Sequence, residues 1–386
     1  MRNASVAAEA VEQNSRRNKG VVDENVPLLA KVQRSDDVSG FEEFNGASFS
    51  GAVFNLSTTI IGAGIMGLPA CVKKLGMVPG LLAIILTGFL TEKSIEFLIR
   101  SSRAGNLPSY GSLMRDAFGK FGKALVEIFV IVNNIGDVIS GTSSVGTHHS
   151  GLLEGWFGVH WWTGRTFVVA FTTVAVFAPL VSFKRIVHPI DNELEDSSQM
   201  HGVVRTSLAL SASVYLLTSF FGFLLFGEAT LDDVLANFDT DLGIPLGSVL
   251  NDAVRFSYAA HLVLVFPVVF YGMRVNLDSL LFPSSRPLTQ DNIRFASITV
   301  TLVAVIFLGA NFIPSIWDIF QFTGATAAVC IAFIFPAAII LRDGHSIATK
   351  RDKILSVFMI FLAVLSNAVA LYSDTYALIK KNKTYT

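Results

Sequence analysis

The stretch NLSTTIIGAGIMGLP, residues 55–69, decides how this chain folds. It holds Gly62, Gly64 and Gly67 within six residues and ends on Pro69, a composition that a regular helix interior accommodates badly. Yet it lies inside Gly46–Val72, a run without Asp, Glu, Lys or Arg. That run is longer than the roughly 20 apolar residues a helix needs to cross a bilayer core about 30 Å thick. A span that cannot stay helical frees backbone N–H and C=O groups at membrane depth, and these must face a ligand, an ion or water. A broken first span is therefore expected.

Eight further uncharged runs follow: Leu75–Thr91, Val138–Leu153, Thr166–Phe183, Thr206–Gly227, Phe256–Met273, Phe295–Trp317, Ile319–Leu341 and Ile354–Ser373. A soluble helix of such length would show a polar face. The reading is an all-α polytopic membrane protein with nine spans, at 49–70, 76–98, 125–147, 165–183, 205–227, 249–272, 294–312, 315–341 and 354–378. Longer connections are expected at 99–123, 148–164, 184–204, 228–248 and 273–293. Composition agrees: 52% of the 386 residues are hydrophobic and 15% are charged, against about a quarter charged in soluble domains.

A formal net charge of −1 gives no reason to expect a nucleic-acid partner. Cys71 and Cys330 sit at or within apolar runs and imply no disulfide framework. Residues 1–45 read as a polar, disordered cytosolic tail, 46–379 as the membrane domain and 380–386 as a short tail. Within the first tail, Glu24, Leu28 and Leu29 match the acidic dileucine pattern that sorting adaptors read, and an idle segment is the competing reading. With the N-terminus in the cytosol, alternating spans put Arg16, Arg17, Arg100, Arg103, Lys184, Arg185, Arg274, Arg342 and Arg351 on the cytosolic side. The other side receives Lys73, Lys74, Arg165, Arg255 and the loop Glu228–Asp252, which has no Lys or Arg but carries Asp232, Asp233, Asp239 and Asp241.

Gly62-x-Gly64-x-x-Gly67 formally matches a dinucleotide fingerprint, but that motif needs a preceding strand, and here its surroundings are membrane. Close packing of helices through small residues is the other bland reading; it leaves Pro69 and the neighbouring Asn55, Ser57, Thr58 and Thr59 unexplained. Broken helices in transporters present such freed groups to carboxylates and cations. In the third span Asp137 follows Asn133, Asn134 and Gly136. A carboxylate at mid-membrane costs about 2.5–3.5 kcal/mol on insertion scales, so Asp137 is expected inside the bundle, either titrating or held by hydrogen bonds. His261, alone in the sixth span, is a second titratable candidate or a helix-packing residue. Asp318, Gln321, Thr323 and Thr326 surround a Pro-disrupted helix start. His148, His149 and His160 beside Trp156, Trp161 and Trp162 read as an aromatic interfacial loop rather than a metal site. No paired carboxylates, His box or Ser/His arrangement marks an enzyme centre.

VFNLSTTIIGAGIMGLP (53–69), LANFDTDLGIP (235–245) and FLGANFIPSIWDIFQFTGATAAVCIAFIFPAAII (307–340) resemble the amino acid/auxin permease family, in the manner of plant vacuolar-type amino acid transporters. The family is related to the sodium-coupled neutral amino acid transporters of animals. The resemblance covers roughly 46–378. It implies a leucine-transporter-type bundle of two inverted halves, with substrate between the broken first and sixth helices. It also implies secondary active transport of amino acids, proton-coupled and across a vacuolar or other endomembrane. Asn55, Ser57, Thr58, Gly62, Ala63, Gly64 and Gly67 are the substrate-binding candidates, and Asp137 and His261 the proton carriers. No cofactor is implied. Sodium is the second choice of coupling ion, because Ala259–Val265 has no hydroxyl where sodium-coupled relatives place one.

The family has eleven spans and this chain offers nine. Two spans are missing between 186 and 187, with the second broken helix among them, as a splice variant or gene-model error would produce. The alternative function is a transport-inactive shortened form that binds or regulates a partner in the membrane.

Overall fold

The computed structural model describes residues 48–182, 199–238, 246–283, 286–313, 319 and 323–384. Helix α1 is Phe49–Ile60, followed by a 3₁₀ turn at Ala63–Gly67 and by α2 at Leu68–Leu75. Then come α3 (Met77–Gly105), α4 (Tyr110–Phe157), α5 (Arg165–Ser182), α6 (Met200–Phe226) and the short α7 (Val234–Asn237). The chain ends with α8 (Gly247–Leu281), α9 (Asn292–Phe312), α10 (Thr326–Arg342) and α11 (Lys350–Thr384). The described residues contain no strand.

Six of these helices are long and apolar enough to cross a membrane, or seven with the bent pair Phe49–Ile60 and Gly64–Leu75 taken as one span. The two expected spans outside this set are 76–98, carried by the 29-residue α3, and 315–341, whose described part centres on the shorter α10. The acidic dileucine at Glu24, Leu28 and Leu29, the join at 186–187, and Asp239, Asp241, Asp318 and Gln321 lie outside the described residues. α11 runs on past residue 379 to Thr384.

Side-chain caps set several helix starts. Ser48 Oγ accepts from the Gly51 amide at 3.2 Å, Ser109 and Ser112 close a reciprocal capping box, and Asp291 accepts from the Arg294 amide. Much of what reads as loop is helix. α3 continues to Gly105, a helical arm begins at Tyr110 and kinks at Gly119 (φ 69°), and α4 extends to Phe157. The segment 273–293 likewise begins as the last turns of α8. Charged residues end the apolar runs but are compatible with helix, so the helices continue beyond those runs.

α4 is the central element. Its residues Ile131, Val138 and Ile139 share one core with Val169 and Phe177 of α5 and with Phe266, Phe270 and Met273 of α8. Ile298, Leu302 and Ile306 of α9 complete the same cluster. Arg274, near the C-terminal end of α8, is only 1% exposed. It lies 4.2 Å over the Phe295 ring and donates to the Val181 carbonyl at 2.8 Å, tying α8 to α5 and α9. A second group is built around α6, which packs on α1, α2 and α3; Ser207 Oγ donates to the Val53 carbonyl where α6 meets α1.

Candidate functional site

The first span is broken, over a shorter stretch than Gly62 to Pro69. The α-helical ladder closes with the Ile61 amide on the Ser57 carbonyl at 3.0 Å, and Gly62 is extended at φ −106°, ψ −163°. One 3₁₀ turn follows, and α2 resumes at Leu68, bent 56° from α1. Pro69 sits in the first turn of α2, where its missing N–H costs nothing. The proline therefore starts the second half-helix rather than extending the break.

Ending a helix inside a membrane strands its last carbonyls. Two side chains from other helices take them. Tyr215 of α6 donates its hydroxyl to the Ile60 carbonyl at 2.6 Å. His261 of α8 brings Nε2 to the Ile61 carbonyl. Since a carbonyl only accepts, that contact requires the proton on Nε2 and leaves Nδ1 as the ring's second proton site.

Beside the break lies a cavity of about 240 Å³. Thr59, Gly62 and Gly64 border it from the break, Asp137 and Gly141 from α4, Tyr215 from α6, and Leu262 and Phe266 from α8. Asn133, one turn before Asp137 on α4, donates to Asp137 Oδ2 at 2.8 Å. The neighbouring Gly136 is needed because a Cβ there would collide with Thr323; Thr323 thus packs directly against the turn that carries Asp137.

The expected site residues divide. Gly62, Gly64 and Asp137 line the cavity, while His261 meets the end of α1 at the Ile61 carbonyl. Ala63 contributes backbone to the 3₁₀ turn, and Gly67 ends that turn away from the cavity lining. Thr58 donates back to the Phe54 and Asn55 carbonyls of its own helix. Ser57 is buried with its hydroxyl unpartnered, and Asn55 is exposed on α1. Two hydroxyl-bearing lining residues, Thr59 and Tyr215, were not among the binding candidates. The available signal was that Tyr215 is the single tyrosine of the run Thr206–Gly227.

Residues 228–238, which follow α6, fold over the break. Asp233 accepts from the Leu235 amide at 3.0 Å to start α7, and its other oxygen is 3.3 Å from His148 Nε2 on α4. His148 and His149 therefore lie on the last turns of α4, not in a loop. Leu235 is fully buried against Ile65 of the 3₁₀ turn, with Val145 and Tyr258 in the same cluster. Lys73 donates to the Glu228 carbonyl at 2.6 Å, and Lys74 pairs with Asp232 at 3.0 Å, so α2 holds the other end of the segment.

The family described as transmembrane amino acid transporter protein matches residues 45–188 and 182–379. The chain is 53% identical over 442 residues to Amino acid transporter AVT6B of Arabidopsis thaliana, covering 94% of this chain and 96% of that protein. With Amino acid transporter AVT6A of the same organism it is 52% identical over 447 residues, 95% of this chain and 97% of that protein. Solute carrier family 38 member 10 of Rattus norvegicus is 23% identical over 391 residues, 81% of this chain and 35% of that protein. Both Arabidopsis comparisons run over more residues than the 386 present here, so those relatives carry residues that this chain lacks. The two family matches meet at 182–188.

Proposed function

The chain belongs to the transmembrane amino acid transporter family, a family of transporters and not of enzymes, and from that premise we propose that it carries amino acids across an endomembrane by coupling to protons. The observation that carries this reading is the convergence of Gly62, Gly64 and Asp137 on one cavity at the end of a broken membrane helix. The freed backbone at Gly62 and Gly64 receives the substrate α-carboxylate, with the dipole of the following half-helix favouring negative charge. Thr58 acts by ordering the last turns of α1, through its hydrogen bonds to the Phe54 and Asn55 carbonyls, and Ala63 and Gly67 by forming the turn.

Asp137 and His261 are the proton carriers in this reading. Asp137 borders the same cavity as the substrate, so its charge and the substrate's are coupled at short range. His261 meets the end of the broken helix at the Ile61 carbonyl, which places it beside the break that receives the substrate. The membrane is vacuolar or a related endomembrane, with the N-terminus cytosolic and Glu24, Leu28 and Leu29 available to sorting adaptors. The bundle is an inverted-repeat transporter lacking two spans at 186–187; the division of the family match at 182–188 and the longer relatives support this. A transport-inactive regulatory role, the alternative that the missing spans raise, is not favoured beside the transporter relatives.

Reconstitution into proteoliposomes tests the proposal. A radiolabelled mixture of amino acids should accumulate when a pH gradient is imposed, and a protonophore should collapse the accumulation. Accumulation that follows sodium and ignores pH would reject proton coupling; no movement of any amino acid would reject the transporter reading. Sequencing the transcript across Ile186–Val187 tests the missing spans.

A further inference from the structure

A second cavity of about 290 Å³ lies between α2, α3 and α6, and nothing in the proposed mechanism uses it. Three helical stripes face it. Leu68 and Val72 come from α2, Ala83 and Gly88 from α3, and Ala212 and Tyr215 from α6. Gly80, Ala83 and Gly88 are the small residues that α3 turns to the cavity, beside Ile84, and a Cβ on Gly88 would stand 3.8 Å from Ala212 Cβ. The bulky side chains of α3, among them Leu82, Ile85, Leu86 and Phe89, occupy its opposite, exposed face. The hollow is thus on the inward side of α3, where ordinary packing would have filled it.

Ile60 and Tyr215 border this cavity and the one at the break. The partition between the two spaces therefore includes one phenol ring, held by one hydrogen bond to the Ile60 carbonyl. A tyrosine so held is a movable wall. Releasing one hydrogen bond costs less than burying a large apolar side chain returns, and an ammonium group near Ile60 is a stronger donor to that carbonyl than a phenol.

We propose that the α2–α3–α6 cavity is the side-chain subsite for amino acids with large apolar or aromatic side chains, and that Tyr215 is the partition that sets how large a side chain enters. This rests on the amino acid transporter reading above. Small substrates are accommodated at the break with Tyr215 in place. Larger ones displace its ring and extend between Val72, Ala83 and Ala212. The wall that Ile60 and Tyr215 share with the first cavity favours a substrate side chain over a lipid tail as the occupant.

The test measures proteoliposome uptake of radiolabelled phenylalanine and alanine by the full chain, by Tyr215→Ala and by Ala83→Phe. Opening the partition should raise the phenylalanine-to-alanine ratio of kcat/KM by about tenfold, the scale on which pocket size discriminates between substrates. Filling the subsite with Ala83→Phe should lower the same ratio by about as much, and the double variant should fall back towards the unmodified chain. Ratios within twofold of the unmodified chain in both single variants would overturn the subsite while leaving amino acid transport standing, and would point to a lipid-filled groove. An unmodified chain that moves neither amino acid overturns both readings. Should Tyr215→Ala fail to fold, Ala83→Phe decides: an equal loss for both substrates overturns the proposal, and a selective loss of phenylalanine supports it.

Discussion

Asn133 and Asp137 stand one turn apart on α4, and the Asn133 amide donates to Asp137 Oδ2 at 2.8 Å on the wall of the cavity. The amide orients the carboxylate but brings no positive charge to neutralise it. In the proposed mechanism this is the group that responds to substrate and to the proton gradient. Asp137→Asn should abolish accumulation driven by a pH gradient while leaving substrate exchange without a gradient intact. Gradient-driven uptake unchanged by this substitution would remove Asp137 from the coupling mechanism.

Gly62 offers a separation of fold from function. Its φ of −106° is open to any residue, and a Cβ built on it meets nothing within 4 Å. A side chain there should enter the cavity rather than strain the backbone. Gly62→Leu should change stability by no more than about 0.5 kcal/mol and raise KM on the order of tenfold or more. A lowered melting temperature with unchanged KM would contradict this placement.

The segment over the break is held by two kinds of contact of unequal worth. The Lys74–Asp232 pair is about half exposed on both sides, 51% and 55%, so Lys74→Ala should cost at most about 1 kcal/mol. Leu235 is fully buried against Ile65, and Leu235→Ala should cost about 2–5 kcal/mol. Hydrogen exchange at residues 228–238 is the measurement, and the leucine substitution should accelerate it far more than the lysine one.

Asp343, in the turn after α10, accepts from the Ile347 and Ala348 amides at 2.8 and 3.0 Å and pairs with Lys353 at 3.0 Å. The Ala348 amide foremost, then Lys353, hold its carboxyl below the usual carboxylate range. Its stabilising contribution is complete above the ordinary value of about 4 and is lost as pH falls through the lower native value. Asp343→Asn suits the left-handed backbone at φ 50° but cannot titrate. Its melting temperature should therefore fall less steeply with acidification below about pH 4 than that of the unmodified chain.

The break was legible because Gly62, Gly64 and Pro69 act through their own backbones, and a backbone preference is written locally. Asp137 was legible for a related reason, since a lone carboxylate in an apolar run must find shelter. The extent of the break was less so: Pro69 reads equally as part of an unwound stretch or as the first turn of α2. Asn55, Ser57 and Thr58 stood beside the glycines in sequence, but α1 is still regular there, and the helix turns them onto other faces.

What the sequence by itself determined is the membrane class, the position of the helix interruption and the type of group it must satisfy, because these follow from hydropathy and backbone stereochemistry over a few adjacent residues. Only the tertiary structure decided that Tyr215 and His261 take the carbonyls of Ile60 and Ile61, and that Leu235 closes over Ile65. These partners lie 155, 200 and 170 positions apart in the chain, as the residue numbers themselves state. Their meeting depends on how whole helices pack, which no local pattern encodes.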